Sequence, residues 1–405
     1  MALSPEFALL LDLGLAIFAA LGFSFLFSRL KQPAVVGQLL AGMLIGPFGL
    51  GLIQDLSTIN LLASLGIILL LFTVGLELDP LEIRRIAPES FVFAAVELTV
   101  SFGSAFTISV LVGLGYLESV FVAMVVATTS TAIMGKLLLE SKSLRARESH
   151  MILTASIVED FATILILLLL PGLVVASSQV PISELGLFAL KGLLLLAVIF
   201  AFGWKAAPGI IDRVSRRSED YREAAFLLTL SFGFAFALLS SYLGFSPAVG
   251  AFLVGLIIRG RQAEFVKEKV GPIKDLFIVL FFVSMGTLIN ITTVLTVTLP
   301  IIAIISTALL GKFWGSWAGA KLSTVRKEAT KVGVSMLPRG EFSFIVAREG
   351  TALGVAATIL FPIAGLATLI SSIASSLGFR LLKSQDTSLP ASSPPVPADI
   401  ERFNK

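Results

Sequence analysis

Two adjacent carboxylates, Glu159 and Asp160, lie within a long apolar run that extends over about 149–174. Asp160 is about 11 residues from the start of this run, roughly 16 Å deep at 1.5 Å per residue and near the middle of a bilayer. A charged side chain at that depth costs at least about 2.5–3.5 kcal/mol, so two of them point to an ion or proton site. Neighbouring helical residues point about 100° apart, so one acid can face a cavity while the other meets a neighbouring helix. The alternative is that both acids merely pair with buried bases.

Asp160 is the acid that we expect to be shared between two substrates. Its carboxylate can hold a proton or a hard monovalent metal ion, Na⁺ or K⁺, but not both at once. If the protein reorients only when one of them is bound, this competition couples their movements in opposite directions. The sequence therefore predicts antiport, with cation and proton taking turns on Asp160.

Few basic residues are available as partners for these acids inside the membrane. Lys312 lies within the apolar run 296–320, too deep for an ordinary loop charge. A buried lysine needs a counter-charge, so we expect Lys312 to pair with Glu159 or with Glu97, which lies part-way along another apolar run. The alternative for Lys312 is that its ammonium snorkels to the membrane surface.

The composition indicates what kind of protein positions these residues. Of 405 residues, 56% are hydrophobic and 14% charged, whereas soluble domains are about 25% charged. We therefore expect an all-α polytopic membrane protein and not an enzyme. Cysteine is absent, which excludes disulfides and thiolate catalysis. No complete G-x-G-x-x-G or Walker sequence occurs, so no cofactor is expected, and the net charge of +3 requires no nucleic-acid partner.

Thirteen apolar segments are long enough, or nearly so, to cross a bilayer. The loops that contain most of the lysines and arginines alternate with loops that contain mainly Asp55, Glu118, Glu184 and Asn290. The positive-inside rule then places the N-terminus outside and the C-terminus in the cytoplasm of a cell-membrane protein. Residues 384–405 are rich in proline and serine and are predicted to form a disordered cytoplasmic tail. The segments are roughly 6–28, 33–50, 59–77, 90–112, 117–139, 149–174, 184–207, 222–243, 245–259, 273–290, 296–320, 328–349 and 351–380.

An internal repeat relates the two halves of the chain. The second segment, Pro33-Ala-Val-Val-Gly-Gln-Leu-Leu-Ala-Gly42, matches the ninth, Pro247-Ala-Val-Gly-Ala-Phe-Leu-Val-Gly255, and the third matches the tenth at a similar offset near 212 residues. The shift is seven helices, an odd number, so the halves insert with opposite orientation. Inverted repeats are typical of alternating-access transporters, with the substrate site near the midplane. The alternative is chance similarity between Leu/Gly-rich helices.

Nearly the same offset relates two polar stretches in the middle of helices. Thr128-Thr129-Ser130-Thr131 lies in the fifth segment and Pro338-Arg339-Gly340-Glu341 in the twelfth. Pro338 removes a helical hydrogen bond, and hydroxyl groups can satisfy carbonyls that a helix break frees. We predict that both helices are discontinuous here. The alternatives are that the hydroxyls join neighbouring helices and that Arg339 and Glu341 simply pair with each other.

Taken together, these residues resemble the second monovalent cation:proton antiporter family, which includes Kef-type potassium efflux systems and bacterial Na⁺/H⁺ antiporters. The resemblance implies a homodimer in membrane lipid, with a transmembrane domain over 1–383 and two crossed, unwound helices. The dimerisation helices would be about 6–77 and 222–290, and the core helices about 90–174 and 296–380. The matching stretches are Gly37-Gln-Leu-Leu-Ala-Gly-Met-Leu-Ile-Gly-Pro47, Phe72-Thr-Val-Gly-Leu-Glu77, Thr129-Ser-Thr-Ala-Ile133, Val158-Glu-Asp160, Ser246-Pro-Ala-Val-Gly-Ala-Phe-Leu-Val-Gly255 and Pro338-Arg-Gly-Glu-Phe342.

The family also implies roles for the site residues. Asp160 looks like the essential carrier of cation and proton, with Glu159, Thr129, Ser130 and Thr131 beside it. Glu159 departs from the Asp, Asn or Gln of the family, but it keeps a carboxylate, which favours an acid–base pair with Lys312 and an electrogenic cycle. The alternative functions are an uncoupled cation channel, a K⁺ efflux protein and, least favoured, an intramembrane aspartyl protease or an organic-anion symporter.

Overall fold

The computed structural model describes residues 5–53, 57–78, 88–140, 147–177, 182–202, 210, 220–258, 261–296, 298–356 and 358–386. These residues form sixteen α-helices and one short 3₁₀ helix, Arg326–Glu328. The predicted all-α architecture is confirmed. In chain order the helices are α1 (Pro5–Arg29), α2 (Ala34–Ile45), α3 (Ser57–Glu77), α4 (Pro88–Leu111), α5 (Tyr116–Ala127), α6 (Thr131–Glu140), α7 (Arg147–Ser177), α8 (Ile182–Ala201), α9 (Asp220–Tyr242), α10 (Pro247–Ile257), α11 (Arg261–Thr287), α12 (Ile291–Thr296), α13 (Thr298–Lys321), α14 (Ala329–Ser335), α15 (Glu341–Ala352) and α16 (Leu360–Asp386).

Within the described residues, ten spans are long and apolar enough to cross a membrane. One of them runs through both α5 and α6, and two shorter apolar helices are α2 and α10. Each of the thirteen predicted segments contains helix, but the second, ninth and twelfth segments contain no helix that reaches the length of a span. The count of thirteen crossings therefore remains a prediction.

Two helix boundaries differ clearly from the sequence prediction. Helix α11 begins at Arg261 rather than near 273, so Lys267 and Lys269 lie on a helix and not in a loop. A helix that continues past the membrane needs no apolar residues there, which is why hydropathy missed these turns. Helix α16 begins at Leu360 rather than at 351, because the chain turns after α15 through Gly354, whose φ of 76° favours glycine. Its last residue is Asp386, so the first three residues of the predicted tail are helical, and 387–405 lie outside the described residues.

The helices pack in two groups. Helices α1, α2, α3, α9, α10 and α11 pack chiefly on one another, while α4–α7 and α13–α16 form the second group. Phe281 and Phe282 of α11 lie against Phe344 of α15, with ring centroids 6.3 and 6.1 Å apart, and so join the groups. Helix α8 contacts members of both groups.

The inverted repeat is visible in the packing of the first group. Gly42 of α2 meets Gly286 of α11, and Gly75 of α3 meets Gly255 of α10. A Cβ atom on any of these four glycines would lie only 2.0–2.3 Å from a main-chain oxygen of the partner helix. Because the repeat relates α2 to α10 and α3 to α11, it exchanges these two contacts. Equivalent backbone crossings thus occur once in each half.

Candidate functional site at two crossed helix breaks

Both polar stretches interrupt their helices. Helix α5 ends at Ala127 and α6 begins at Thr131, with extended backbone at Thr128, where φ is −72° and ψ is 143°. Helix α14 ends at Ser335 and α15 begins at Glu341. Pro338, which has no main-chain N–H to donate, lies in this second connection. The predicted pair of discontinuous helices is confirmed.

The two connections touch each other. Ser130 donates its main-chain N–H to the carbonyl oxygen of Pro338 at 2.7 Å and its hydroxyl to Glu341 Oε2 at 2.9 Å. The hydroxyls of Thr128 and Ser343 are 3.2 Å apart. A Cβ atom at position 340 would lie 2.4 Å from Ser130 Oγ, so the close approach requires Gly340. The helices therefore cross at their breaks, as the fold prediction required.

Two buried cationic side chains lie at the carboxyl end of α5, where the last carbonyls have no donor within the helix. Arg339 donates from Nε to the oxygen of Val126 at 2.9 Å, and Lys312 Nζ donates to the oxygen of Ala127 at 2.6 Å. A positive charge is favourable here, because the carboxyl end of a helix has partial negative charge. Arg339 also donates to the oxygens of Ala308, at 2.8 Å, and Leu337. The suggested pair between Arg339 and Glu341 does not form, because the guanidinium donates to three main-chain carbonyls while Glu341 accepts from Ser130.

The adjacent acids Glu159 and Asp160 of α7 face different neighbours. Asp160 is 9% exposed and accepts a hydrogen bond from Thr131 Oγ1 at 3.0 Å. Glu159 is 1% exposed and accepts from Thr129 Oγ1 at 2.7 Å. This divergence follows from the 100° step between neighbouring helical residues. Asp160 therefore lies at the first turn of α6, while Glu159 points toward the buried cations.

Lys312 contacts both of the acids that the sequence offered as alternatives. Its Nζ is 2.6 Å from Glu97 Oε1 and 3.0 Å from Glu159 Oε2, and all three side chains are at most 1% exposed. Lys312 does not snorkel to the surface. Glu97 comes from α4, Glu159 from α7 and Lys312 from α13, so three helices meet at one buried ion cluster.

A glycine stripe on α13 brings Lys312 to Glu97, and the sequence reasoning missed it. Cβ atoms at Gly311, Gly315 and Gly319 would lie 2.1–3.0 Å from atoms of α4. Small residues at every fourth position let two membrane helices approach closely. The spacing Gly311-x3-Gly315-x3-Gly319 could have predicted this close helix contact from the sequence. Two further polar partners had no such signal: Ser343 beside Thr128, and Ser371, whose hydroxyl accepts from the main-chain N–H of Arg339 at 3.0 Å.

The polar groups around Asp160 offer oxygen atoms as ligands. The described residues contain no cluster of three or more His, Cys, Asp or Glu side chains that could hold a metal ion. Around Asp160 lie the neutral oxygens of the first break and the carboxylate of Glu341. Hard cations prefer oxygen ligands of this kind.

The comparison with known proteins decides the family. A family model described as "Sodium/hydrogen exchanger, transmembrane" matches residues 14–383. The chain belongs to this family. Exchangers of this family are transporters rather than enzymes, and the described helices agree with a multi-span membrane protein.

Individual relatives and structures agree with this assignment. The chain is 30% identical over 338 residues to the Na(+)/H(+)-K(+) antiporter GerN of Bacillus cereus, covering 82% of this chain and 85% of GerN. It is 29% identical over 320 residues to the glutathione-regulated potassium-efflux system protein KefC of Escherichia coli, covering 78% of this chain and 51% of KefC. The fold matches the sodium proton antiporter MjNhaP1 of Methanocaldococcus jannaschii with a TM-score of 0.67, at 18% identity, over 92% of this chain and 95% of that one. Membership of the cation/proton antiporters predicted from the sequence is thereby confirmed.

Proposed function

We propose that this exchanger is a secondary active Na⁺ (or K⁺)/H⁺ antiporter that works by alternating access, with cation and proton bound in turn by Asp160. The observation that carries the proposal is the environment of Asp160. It is buried beside the crossing of two discontinuous helices, where it accepts a hydrogen bond from a neutral hydroxyl, Thr131. Among the described residues no lysine or arginine forms an ion pair with it. A carboxylate held in this way remains available for a cation or a proton.

The residues around Asp160 have complementary roles in this proposal. Thr131 and Ser130 supply neutral oxygens at the start of α6, and Thr129 orients Glu159. Lys312 and Arg339 balance the buried glutamates and satisfy the carboxyl end of α5. The crossing of the breaks at Gly340 keeps these groups together while the substrate changes.

The proposal extends to the two helix groups. The first group, with its glycine crossings, would be a static scaffold that forms the homodimer in the membrane, and the second group would carry Asp160 across it. The contrast in loop charge along the sequence supports an outside N-terminus and a cytoplasmic C-terminus. Movement of one repeat-built bundle against another is the usual basis of alternating access.

The test is exchange in proteoliposomes with an imposed pH gradient, comparing Na⁺, Li⁺ and K⁺. The isosteric variant Asp160→Asn should fold normally and lose exchange by at least about 100-fold, since a neutral amide can neither release a proton nor balance a cation. Asp275→Asn is the matched control, because that carboxylate is 75% exposed on α11, and it should exchange at the normal rate. Retained exchange in Asp160→Asn would remove Asp160 from its proposed role.

The second candidate is an uncoupled K⁺ pathway, which the similarity to part of KefC favours. It predicts K⁺ flux that continues without proton counter-movement when the membrane potential is clamped. Coupled flux that collapses with the pH gradient contradicts it.

A further inference from the structure

Glu97 and Glu159 share one ammonium group, and Glu97 has the shorter contact. Lys312 Nζ lies 2.6 Å from Glu97 Oε1, 2.6 Å from the oxygen of Ala127 and 3.0 Å from Glu159 Oε2. The contacts to the oxygen of Ala127 and to Glu159 Oε2 have hydrogen-bond geometry, whereas the contact to Glu97 Oε1 is an ion pair without that geometry. The contact to Glu159 is the longest of the three, and Thr129 donates to the same oxygen of Glu159.

We infer that Glu97 is a positioning residue that competes with Glu159 for the Lys312 ammonium and thereby sets the affinity of the exchanger for its cation. This inference rests on the proposed exchange at Asp160. Glu97 itself does not touch the cation, since it is fully buried on α4 and acts through Lys312.

The contact between Glu97 and Lys312 lies in the most closely packed part of the cluster. A Cβ atom at Gly315 would lie 3.0 Å from the main-chain oxygen of Glu97, and one at Gly311 would lie 2.1 Å from Ser104 Oγ. Helices α4 and α13 therefore approach each other closely on both sides of Lys312. Glu159 comes from a third helix, α7, and is held by the hydroxyl of Thr129 in the first break. The close helix contact thus fixes Glu97 beside Lys312, whereas Glu159 reaches Lys312 from a helix outside that contact.

Carboxylate oxygens that accept no hydrogen bond are a further feature of the cluster. Glu159 Oε1 and both carboxylate oxygens of Glu97 are buried and accept no hydrogen bond from the described residues. Buried polar atoms without a partner are uncommon and call for an explanation such as a bound ion or water. Glu159 thus has one oxygen without a hydrogen bond, while its other oxygen contacts Lys312 and Thr129.

A cation that enters beside Asp160 attracts Glu159 away from Lys312. With Glu97 present, the ammonium keeps a carboxylate partner, so no buried charge is left unpaired. Without it, Glu159 is the sole carboxylate on Lys312, and cation binding must separate them. Other charges near the cluster, Arg339 and Glu341, engage the carbonyls of α5 and the hydroxyl of Ser130 and do not replace Glu97.

The experiment measures the initial rate of exchange against cation concentration in proteoliposomes. For Glu97→Gln we expect the half-saturating concentration to rise about tenfold, within the usual range for coupled sites, with the maximal rate changed less than about twofold. Glu97→Asp keeps the charge and should show a smaller rise. Glu89→Gln is the matched control, because Glu89 is on the same helix at its exposed end, and its half-saturating concentration should stay the same.

A double-mutant cycle separates action through Lys312 from direct attraction of the cation by Glu97. In a Lys312→Gln background, Glu97→Gln should change the half-saturating concentration by less than about twofold. An equal rise in both backgrounds, or no rise in the single variant, overturns the inference. If Glu97→Gln does not fold, Glu97→Asp is the test variant. An unchanged half-saturating concentration in Glu97→Asp then overturns the inference. Loss of exchange in Asp160→Asn together with an unchanged affinity in Glu97→Gln would leave the proposed function standing while this inference fails.

Discussion

The two helix breaks occupy equivalent places in the repeat but have different chemistry. The first break, Thr128–Thr131, has four hydroxyl side chains and no charge, whereas the second contains Arg339 and Glu341. The carboxyl end of α5 in the first half receives its positive charge from outside that half, from Arg339 and Lys312. In the second half, Glu341 lies at the amino end of α15, where a negative charge is favourable. The first break thus supplies neutral oxygens and the second supplies charge.

The glycine crossings of the first helix group show the opposite behaviour. Gly42 and Gly255 occupy matching positions, as do Gly75 and Gly286, and all four remain glycine in both halves. Close backbone packing imposes the same steric requirement twice, while the site at the breaks needs neutral ligands and charges together. Repeats therefore keep a residue where packing decides it and diverge where chemistry does.

The largest loss of stability should come from removing Arg339, the charge that the second break supplies to the first. Arg339→Met should lower the free energy of unfolding by roughly 3 kcal/mol or more, because it removes a buried charge and leaves the oxygen of Val126, at the end of α5, without its donor. The fraction of detergent-solubilised protein that stays monodisperse after heating measures this loss. Arg326→Met, at an exposed position in the 3₁₀ helix, is the control and should change little. Equal behaviour of the two variants would mean that α5 does not depend on Arg339.

A smaller effect is expected from the contact between the breaks. Gly340→Ala places a Cβ atom against Ser130 and should cost about 1–3 kcal/mol and slow exchange, since it separates the crossed helices. Unfolding in denaturant and exchange in proteoliposomes both report on it. A second change, Ser130→Gly, removes the atoms that clash and should restore part of the stability.

The control for this steric prediction is Gly135→Ala on α6, where a new Cβ atom meets nothing within 4 Å. That variant should be neutral or more stable by up to about 1 kcal/mol, because glycine is unfavourable inside a helix. Similar losses at both positions would show that helix propensity, and not the crossing, explains the effect of Gly340→Ala.

The smallest effect should come from one neutral hydrogen bond of the first break. Thr128→Val removes the contact to Ser343 with little change in shape, so the expected loss is about 1 kcal/mol. Thr107→Val is matched to it, because Thr107 bonds only to its own helix on an exposed face, and should be near neutral. A loss above about 3 kcal/mol for Thr128→Val, measured in the same unfolding assay, would contradict the assignment of charge as the dominant contribution at the crossing.

Sequence patterns located most of the site because membrane burial makes polar residues conspicuous. Asp160, Lys312 and the Pro338–Glu341 stretch stand out in apolar runs, and the repeat offset paired the two breaks before any contact was known. Hydropathy could not locate the helical turns of α11 outside the membrane or the turn at Gly354. In both places the ends of helices depend on caps, φ angles and water rather than on apolar length.

The amino-acid sequence alone determined that the chain crosses a membrane many times, that its halves repeat in opposite orientation and that a carboxylate lies within a long apolar helix. Those properties follow from composition and periodicity, which can be read from each segment of the sequence without knowing its neighbours in space. Only the tertiary structure decided that Lys312 contacts both Glu97 and Glu159. It also decided that Arg339 donates a hydrogen bond to the end of α5 rather than pairing with Glu341. Such choices depend on how closely helices approach through glycine and on which carbonyls a crossing leaves unpaired, and both are properties of several helices together.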